Sequence, residues 1–129
     1  MRIEHVAIWT RDIERLRAFY DTHFGAVAGP RYVNAATQFE SYFLKFESGA
    51  RLEIMSKPTV HPRAASTAAE RAGYAHLAMA LGSRERVLEM TARLAAAGYA
   101  VLDGPRVTGD GYFESVVQDP DGNRIELTV

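Results

Sequence analysis

The sequence contains no cysteine among its 129 residues, which excludes disulfides, thiolate metal ligands and cysteine nucleophiles. Its 15 basic and 16 acidic residues nearly cancel, so the basic excess of proteins that bind nucleic acid or anionic membranes is missing. No apolar run is long enough to span a bilayer, and the N-terminus lacks the apolar stretch of a signal peptide. These absences predict a cytoplasmic protein that binds neither nucleic acid nor membrane.

The rest of the composition is that of an ordinary globular domain. Apolar residues make up 47% of the chain, which is enough to form a core, and 24% of the residues are charged. Because domains of about 100–150 residues are the commonest, the length predicts a single domain over residues 1–129.

One strand-like segment occurs twice. Arg51-Leu52-Glu53-Ile54-Met55 and Arg124-Ile125-Glu126-Leu127-Thr128 both begin with arginine and alternate apolar residues around a glutamate, which is the pattern of a half-buried strand. Upstream of each copy, residues 2–9 and 74–81 form another predicted strand that carries a histidine. Each half of the chain therefore offers one imidazole and one carboxylate.

The tripeptide Phe-Glu-Ser strengthens this repeat, since it stands between the histidine and the glutamate in both halves, at residues 39–41 and 113–115. We interpret the chain as two modules, at about residues 1–55 and 74–129. Residues 56–73 contain prolines and no periodic apolar pattern, which is typical of a linker.

Each module also carries one predicted helix. Apolar residues recur at helical spacing over residues 13–24, with Asp12 or Thr10 as the N-cap, and again over residues 87–95, with Ser83 as the N-cap. The remaining predicted strands cover residues 38–46, 50–55, 99–102, 112–118 and the C-terminal segment. Each module thus contains a strand, a helix and two or three further strands, and the fold class is α+β.

Two glycine-containing segments between the last predicted strands are assigned to a loop. They are Gly104-Pro105 and Gly109-Asp110-Gly111, because glycine and proline commonly interrupt regular structure.

The alternation sorts the side chains of four predicted strands onto two faces, because successive strand residues point to opposite sides. One face is uniformly apolar and should lie under the helices: Val6, Ile8, Leu52, Ile54, Leu77, Met79, Ile125 and Leu127. The opposite face carries His5, Glu53, His76 and Glu126, accompanied by Trp9, Arg51, Met55, Tyr74, Arg124 and Thr128.

Two imidazoles and two carboxylates suit one divalent transition ion, such as Ni, Co, Mn, Fe or Zn. The alternative is that these residues are merely solvated, with Arg51 and Arg124 as cross-strand ion partners worth roughly 0.2–1 kcal/mol per pair. The agreement of four positions in face, module and order favours the metal site.

These residues resemble the vicinal oxygen chelate superfamily, and their pattern is most similar to glyoxalase I (lactoylglutathione lyase). The resemblance covers essentially the whole chain. Its most specific segments are Ile3-Glu4-His5-Val6-Ala7, Gly49-Ala50-Arg51-Leu52-Glu53-Ile54, Tyr74-Ala75-His76-Leu77-Ala78 and Asp119-Pro120-Asp121-Gly122-Asn123-Arg124-Ile125-Glu126-Leu127. It implies paired βαβββ modules, a cup-shaped mixed sheet with helices on its convex face, and one metal ion. It also implies a homodimer, in which many relatives complete the cup with a module from the partner chain.

The resemblance further implies a small-molecule substrate that chelates the metal through two neighbouring oxygens. By position Glu126 would move the proton, with Glu53 as the second candidate. Glyoxalase I holds glutathione with an Arg four residues after the first ligand and an Asn four residues after the first Glu, where this chain has Trp9 and Lys57. These departures argue against a glutathione adduct.

The substrate-binding residues expected in this chain are Trp9, Lys57, Arg51 and Met55. Two alternatives to a lyase or isomerase stay open at this point. One is a metal-dependent thiol transferase that confers antibiotic resistance, and the other is a non-catalytic relative that binds small molecules.

Overall fold

The structure, a computed structural model, describes residues 1–62 and 72–129. The chain divides into two compact units, Met1–Ala64 and Ala65–Val129, both of mixed α and β structure. The predicted α+β class is therefore confirmed. Residues 63–71 of the predicted linker lie outside the described residues. None of the helices in the described segments has the length and apolar character that crossing a membrane requires.

The first unit is a sheet of five strands with one helix. Its elements are β1 (His5–Trp9), α1 (Ile13–Phe24), β2 (Val27–Ala28), β3 (Tyr32–Asn34), β4 (Phe39–Lys45) and β5 (Arg51–Ser56). The strand order is β1-β5-β4-β2, with β3 also paired to β4. Strand β1 runs parallel to β5 and the other pairings are antiparallel. Because β1 and β5 are neighbours, the predicted histidine and glutamate strands lie side by side.

The second unit has the same strand order without the additional short strand. Its elements are β6 (Leu77–Ala80), α2 (Arg84–Ala96), β7 (Val101–Val107), β8 (Phe113–Gln118) and β9 (Arg124–Thr128). The sheet order is β6-β9-β8-β7, in which β6 runs parallel to β9. The histidine-bearing and glutamate-bearing segments are again neighbours.

Both helices begin at the predicted N-caps. The Asp12 carboxylate accepts a hydrogen bond from the backbone N–H of Arg15 at 3.0 Å, and the Ser83 hydroxyl accepts one from the N–H of Arg86 at 3.3 Å. Each cap satisfies one of the backbone donors that a helix start leaves free. Each helix buries one apolar face: Ile13, Leu16, Phe19 and Tyr20 in α1, and Val87, Thr91 and Leu94 in α2.

The apolar faces of the two glutamate strands form part of the core, as predicted. The buried residues of these strands are Leu52, Ile54, Ile125 and Leu127. The alternating residues of β5 and β9 are only partly buried. Each glutamate therefore points away from the core of its own unit, which leaves it available for chemistry.

The two Phe-Glu-Ser segments are not equivalent in register. In β4, Ser41 pairs with the residue two positions after Glu53, whereas in β8, Ser115 pairs with the residue directly after Glu126. A shift of one residue moves every side chain to the other face of a strand. Ser115 faces α2, where its hydroxyl lies 2.6 Å from the hydroxyl of Thr91. Ser41 lies on the same face of its sheet as Glu53.

The loop predicted at Gly104-Pro105 is wrong, because both residues belong to β7. The short strand predicted at 99–102 is correspondingly too short, since β7 spans Val101–Val107. The pairing with β8 is irregular between Asp103 and Arg106. Strand β7 lies at the sheet edge, where proline and a bulge are tolerated because one side of the strand needs no hydrogen-bonding partner.

Gly104→Ala should destabilise the protein by about 3 kcal/mol, because this position excludes a side chain in two ways. Its φ is +74°, and a Cβ there would lie 2.6 Å from the Glu114 carbonyl oxygen and 2.9 Å from the Ser115 Cα. Urea unfolding measures the effect. Gly109→Ala is the matched control, since an added Cβ meets nothing within 4 Å, and its free energy of unfolding should change by less than about 0.5 kcal/mol. Equal stabilities of the two variants would contradict the packing described for β7.

Candidate functional site

The first unit places His5 beside Glu53. In the parallel pairing of β1 with β5, Glu53 lies opposite Ala7, which is two residues after His5 and therefore on the same face of β1. The His5 Nε2 lies 3.8 Å from a Glu53 carboxylate oxygen. The small side chain of Ala7 leaves space next to the carboxylate, so the imidazole and the carboxylate approach each other across the strand pair.

The second unit repeats this arrangement with His76 and Glu126. Glu126 lies opposite Ala78, again two residues after the histidine. The His76 Nε2 is 3.2 Å from a Glu126 carboxylate oxygen. His76 lies directly before β6, because the strand predicted over 74–81 spans Leu77–Ala80 in the structure. Tyr74 precedes the strand and is fully exposed.

The two pairs also match in exposure. Both histidine side chains are 40% exposed, while the glutamate side chains are 15% and 19% exposed. Two ligands bound to one ion at right angles, each about 2.1 Å from it, lie about 3.0 Å apart. The second pair is close to this spacing, and a small side-chain rotation would bring the first pair to it. The donor atoms of each unit therefore fit two neighbouring positions on a divalent transition ion.

The structure places the four predicted metal ligands in two pairs, one within each unit. Within residues 1–62 and 72–129, no group of three or more His, Asp or Glu side chains is close enough together to hold a metal ion. Each pair supplies one nitrogen and one oxygen donor, which is half of the predicted ligand set.

Glu4 contacts the first pair and was not anticipated from the sequence. One of its carboxylate oxygens lies 2.5 Å from His5 Nδ1, and the other accepts a hydrogen bond from the Arg51 guanidinium. These interactions lower the pKa of the Glu4 carboxyl, the hydrogen bond with His5 contributing most. Strict alternation would place Glu4 and His5 on opposite faces. Strand β1 begins at His5, however, so Glu4 lies outside the strand and its side chain can turn back.

Arg51 does not form an ion pair with Glu53, although the solvated interpretation makes Arg51 a cross-strand partner of a site glutamate. Its guanidinium contacts Glu4 and lies 4.1 Å from the centre of the Phe43 ring. The Phe43 ring in turn meets the His5 imidazole edge to face, with centroids 5.4 Å apart. Glu53 thus has His5 as its ion partner, and Phe43 of β4 packs against the ring of that histidine.

The predicted substrate-binding residues fall at the two ends of the β1–β5 pair. Trp9 is 44% exposed and lies opposite Met55, and the ammonium of Lys57 is 5.0 Å from the centre of its ring. Phe39 packs edge to face against the same indole at 6.0 Å. These residues form an apolar wall with one positive charge at the end of β1, whereas Arg51 lies at the other end.

Two such units in one chain define a class of α+β proteins built from paired βαβββ modules with a helix on one face of each sheet. The chain belongs to the Glyoxalase/Bleomycin resistance protein/Dioxygenase superfamily, which it matches over residues 2–127. A comparison with curated protein sequences finds no significant match.

Solved structures with the same fold include several glyoxalases. The trypanothione-dependent glyoxalase I of Leishmania major is 23% identical with a TM-score of 0.78, covering 99% of this chain and 86% of its own. A glyoxalase family protein from Enterococcus faecalis is 25% identical with a TM-score of 0.79, covering 98% and 96%. Glyoxalase I from Zea mays is 21% identical with a TM-score of 0.80, and the match covers 98% of this chain but 44% of the maize chain. These similarities show the shared fold.

Proposed function

We propose that the chain is a metal-dependent lyase or isomerase of the glyoxalase I type. Its substrate is a small molecule that presents two neighbouring oxygens to the metal. The observation that carries this proposal is the repeated His–Glu pair, at 3.8 Å in one unit and 3.2 Å in the other, on equivalent strands with nearly equal exposure. Both pairs are intact, so the thiol-transferase and non-catalytic alternatives are not favoured.

In this proposal, His5, Glu53, His76 and Glu126 together hold one divalent ion, chosen from Ni, Co, Mn, Fe and Zn. Proteins of this superfamily commonly use a divalent metal, and mixed imidazole and carboxylate donors suit these ions. The two pairs meet either within one chain or between the chains of a homodimer. These four residues would hold the ion and leave it accessible to the two neighbouring oxygens of the substrate.

The bound ion would supply a Lewis acid that stabilises negative charge on the substrate oxygens. Glu126 removes a proton from the hydroxyl-bearing carbon next to the carbonyl and returns it to the carbonyl carbon, while the hydroxyl proton passes to the carbonyl oxygen. Glu53 is the second candidate for the carbon-to-carbon transfer. A carboxylate is suited to this work because it can accept and then donate one proton at a fixed position. Both carboxylates are largely shielded from solvent, since their side chains are 15% and 19% exposed, which limits competing contact with water.

Trp9 and Lys57 determine the substrate preference in this proposal. The indole provides a flat apolar surface, and the Lys57 ammonium 5.0 Å from it provides a point charge. Neither group offers the two parallel donors with which arginine grips a carboxylate. The site therefore favours an anion that is smaller or more apolar than a glutathione adduct.

The test is turnover of a panel of α-ketoaldehyde–thiol adducts by protein loaded separately with nickel, cobalt, manganese and zinc. We expect metal-dependent turnover of a small adduct, and a kcat/KM below about 10⁴ M⁻¹s⁻¹ for the glutathione–methylglyoxal adduct, which is under the ordinary enzyme range. Trp9→Arg combined with Lys57→Asn should raise kcat/KM for the glutathione–methylglyoxal adduct. A wild-type value for glutathione within that range would overturn the substrate preference. If no adduct is turned over with any of the metals, the proposed lyase activity is wrong.

We also propose that the protein is a cytoplasmic homodimer. Superfamily members often act as dimers on small molecules, and the absence of cysteine fits a reducing compartment. Light scattering that gives the mass of a monomer at micromolar concentration would contradict the dimer.

A further inference from the structure

The contact between Glu4 and His5 involves the imidazole nitrogen that does not face Glu53. Glu4 lies 2.5 Å from Nδ1, while Nε2 points towards Glu53 at 3.8 Å. A carboxylate accepts hydrogen bonds and donates none when ionised, so neutral His5 satisfies this contact by carrying its proton on Nδ1. The lone pair of Nε2 is then directed to the side of the sheet where the proposed metal ligands lie.

Arg51 holds the carboxylate in this position. Its guanidinium donates to the second oxygen of Glu4, and its backbone N–H donates to the Glu4 carbonyl at 3.1 Å. The guanidinium also packs on Phe43, which supports the His5 ring edge to face. Residues of β4 and β5 thus fix both the carboxylate and the ring that it contacts.

We propose that Glu4 is a positioning residue that fixes the Nδ1–H tautomer and the ring orientation of His5, so that Nε2 is presented to the metal. This inference rests on the proposed function for the presence of that metal. Hydrogen bonding of the distal nitrogen is a common way to orient a metal-binding histidine and to raise its basicity, and loss of the partner typically weakens metal binding 10- to 100-fold.

The second unit has no carboxylate at the matching position, where Ala75 precedes His76. Alanine offers no acceptor side chain, so the two histidines are not equivalent even though their distances to glutamate are similar. Removal of the Glu4 carboxylate should therefore change His5 and leave His76 unaffected, which provides an internal reference within one sample.

The experiment compares Glu4→Ala with Glu14→Ala. Glu14 is a suitable control because it is also a glutamate of the first unit, ion-paired with Arg17 at 2.8 Å, and it has no contact with His5 among the interactions of the described residues. Imidazole ¹⁵N NMR of the metal-free proteins at about pH 8.5, where ordinary histidine is neutral, reports the tautomer of each ring. Competition with a chromogenic chelator then gives the affinity for zinc and for nickel.

We expect the Nδ1–H form of His5 in the wild type and in Glu14→Ala, and its loss in Glu4→Ala with a 10- to 100-fold weaker metal affinity. Glu4→Gln, whose amide oxygen can still accept the hydrogen bond, should retain the tautomer and part of the affinity. An unchanged tautomer, or an unchanged affinity in Glu4→Ala when the wild type binds metal, would overturn the positioning role alone. A wild type that binds no metal would overturn the proposed function, and the metal-directed role of Glu4 with it.

Discussion

Glu126→Gln should lower kcat/KM for the best adduct of the panel by about 10²- to 10⁴-fold, the usual contribution of a positioned general base. The amide has nearly the size and shape of the carboxylate, so the packing of β9 is preserved. It cannot accept the proton that the proposed mechanism transfers. The measurement is steady-state turnover under saturating metal, with the metal content of each sample determined in parallel.

Glu53→Gln is the matched comparison, because Glu53 occupies the same position in the other unit and is similarly covered. We expect a smaller loss of turnover for this variant at equal metal occupancy. The reverse order would assign the proton transfer to Glu53. If both fully loaded variants remained within tenfold of the wild type, neither glutamate would be the base.

His5→Ala and His76→Ala should each abolish most of the thermal stabilisation that a metal gives the wild type. A ligand present at 100 times its Kd stabilises the folded state by about 2.7 kcal/mol. For a chain of this size, that free energy corresponds to a rise in Tm of roughly 10 °C. Removal of one histidine weakens the affinity of the protein for the ion, so the same ion concentration should produce a much smaller rise in Tm. Differential scanning calorimetry with and without nickel, cobalt or zinc measures it.

His61→Ala is the control for these variants. His61 is exposed and lies outside the helices and strands, so its removal should leave the metal-induced shift unchanged. A shift that survives in both His5→Ala and His76→Ala but disappears in His61→Ala would place the metal elsewhere.

The local sequence was sufficient to predict the helices and the buried faces of the glutamate strands. Asp12 and Ser83 combine with an apolar stripe that repeats every three or four residues, and both signals act within one turn of the chain. The alternation around Glu53 and Glu126 likewise determined which side chains are buried, because a half-buried strand has only two faces.

Features that depend on how one strand pairs with another were not predictable. Glycine and proline at positions 104 and 105 favour a loop by local preference. The place of Gly104 on an edge strand, against the backbone of β8, instead follows from tertiary structure. The one-residue difference in register between Ser41 and Ser115 is also set by strand pairing, which identical tripeptides cannot reveal.

For the candidate site too, the local sequence pattern predicts part of the arrangement and tertiary structure sets the rest. Strand alternation placed His5 with Glu53 and His76 with Glu126 on common faces, and the structure shows both pairs. Glu4 was missed because its contact depends on where β1 begins. A strand pattern does not determine whether the two His–Glu pairs bind the same ion. Their shared binding of one ion is therefore the central proposal.

The most direct test of that proposal is the number of metal ions per chain, measured by native mass spectrometry on zinc- or nickel-loaded wild type and His5→Ala. Shared ligation predicts one ion per chain in the wild type, and almost none in His5→Ala when the ion is supplied in stoichiometric amount. Two ions per chain in the wild type, with one retained in His5→Ala, would show that each His–Glu pair binds its own ion and would contradict the account.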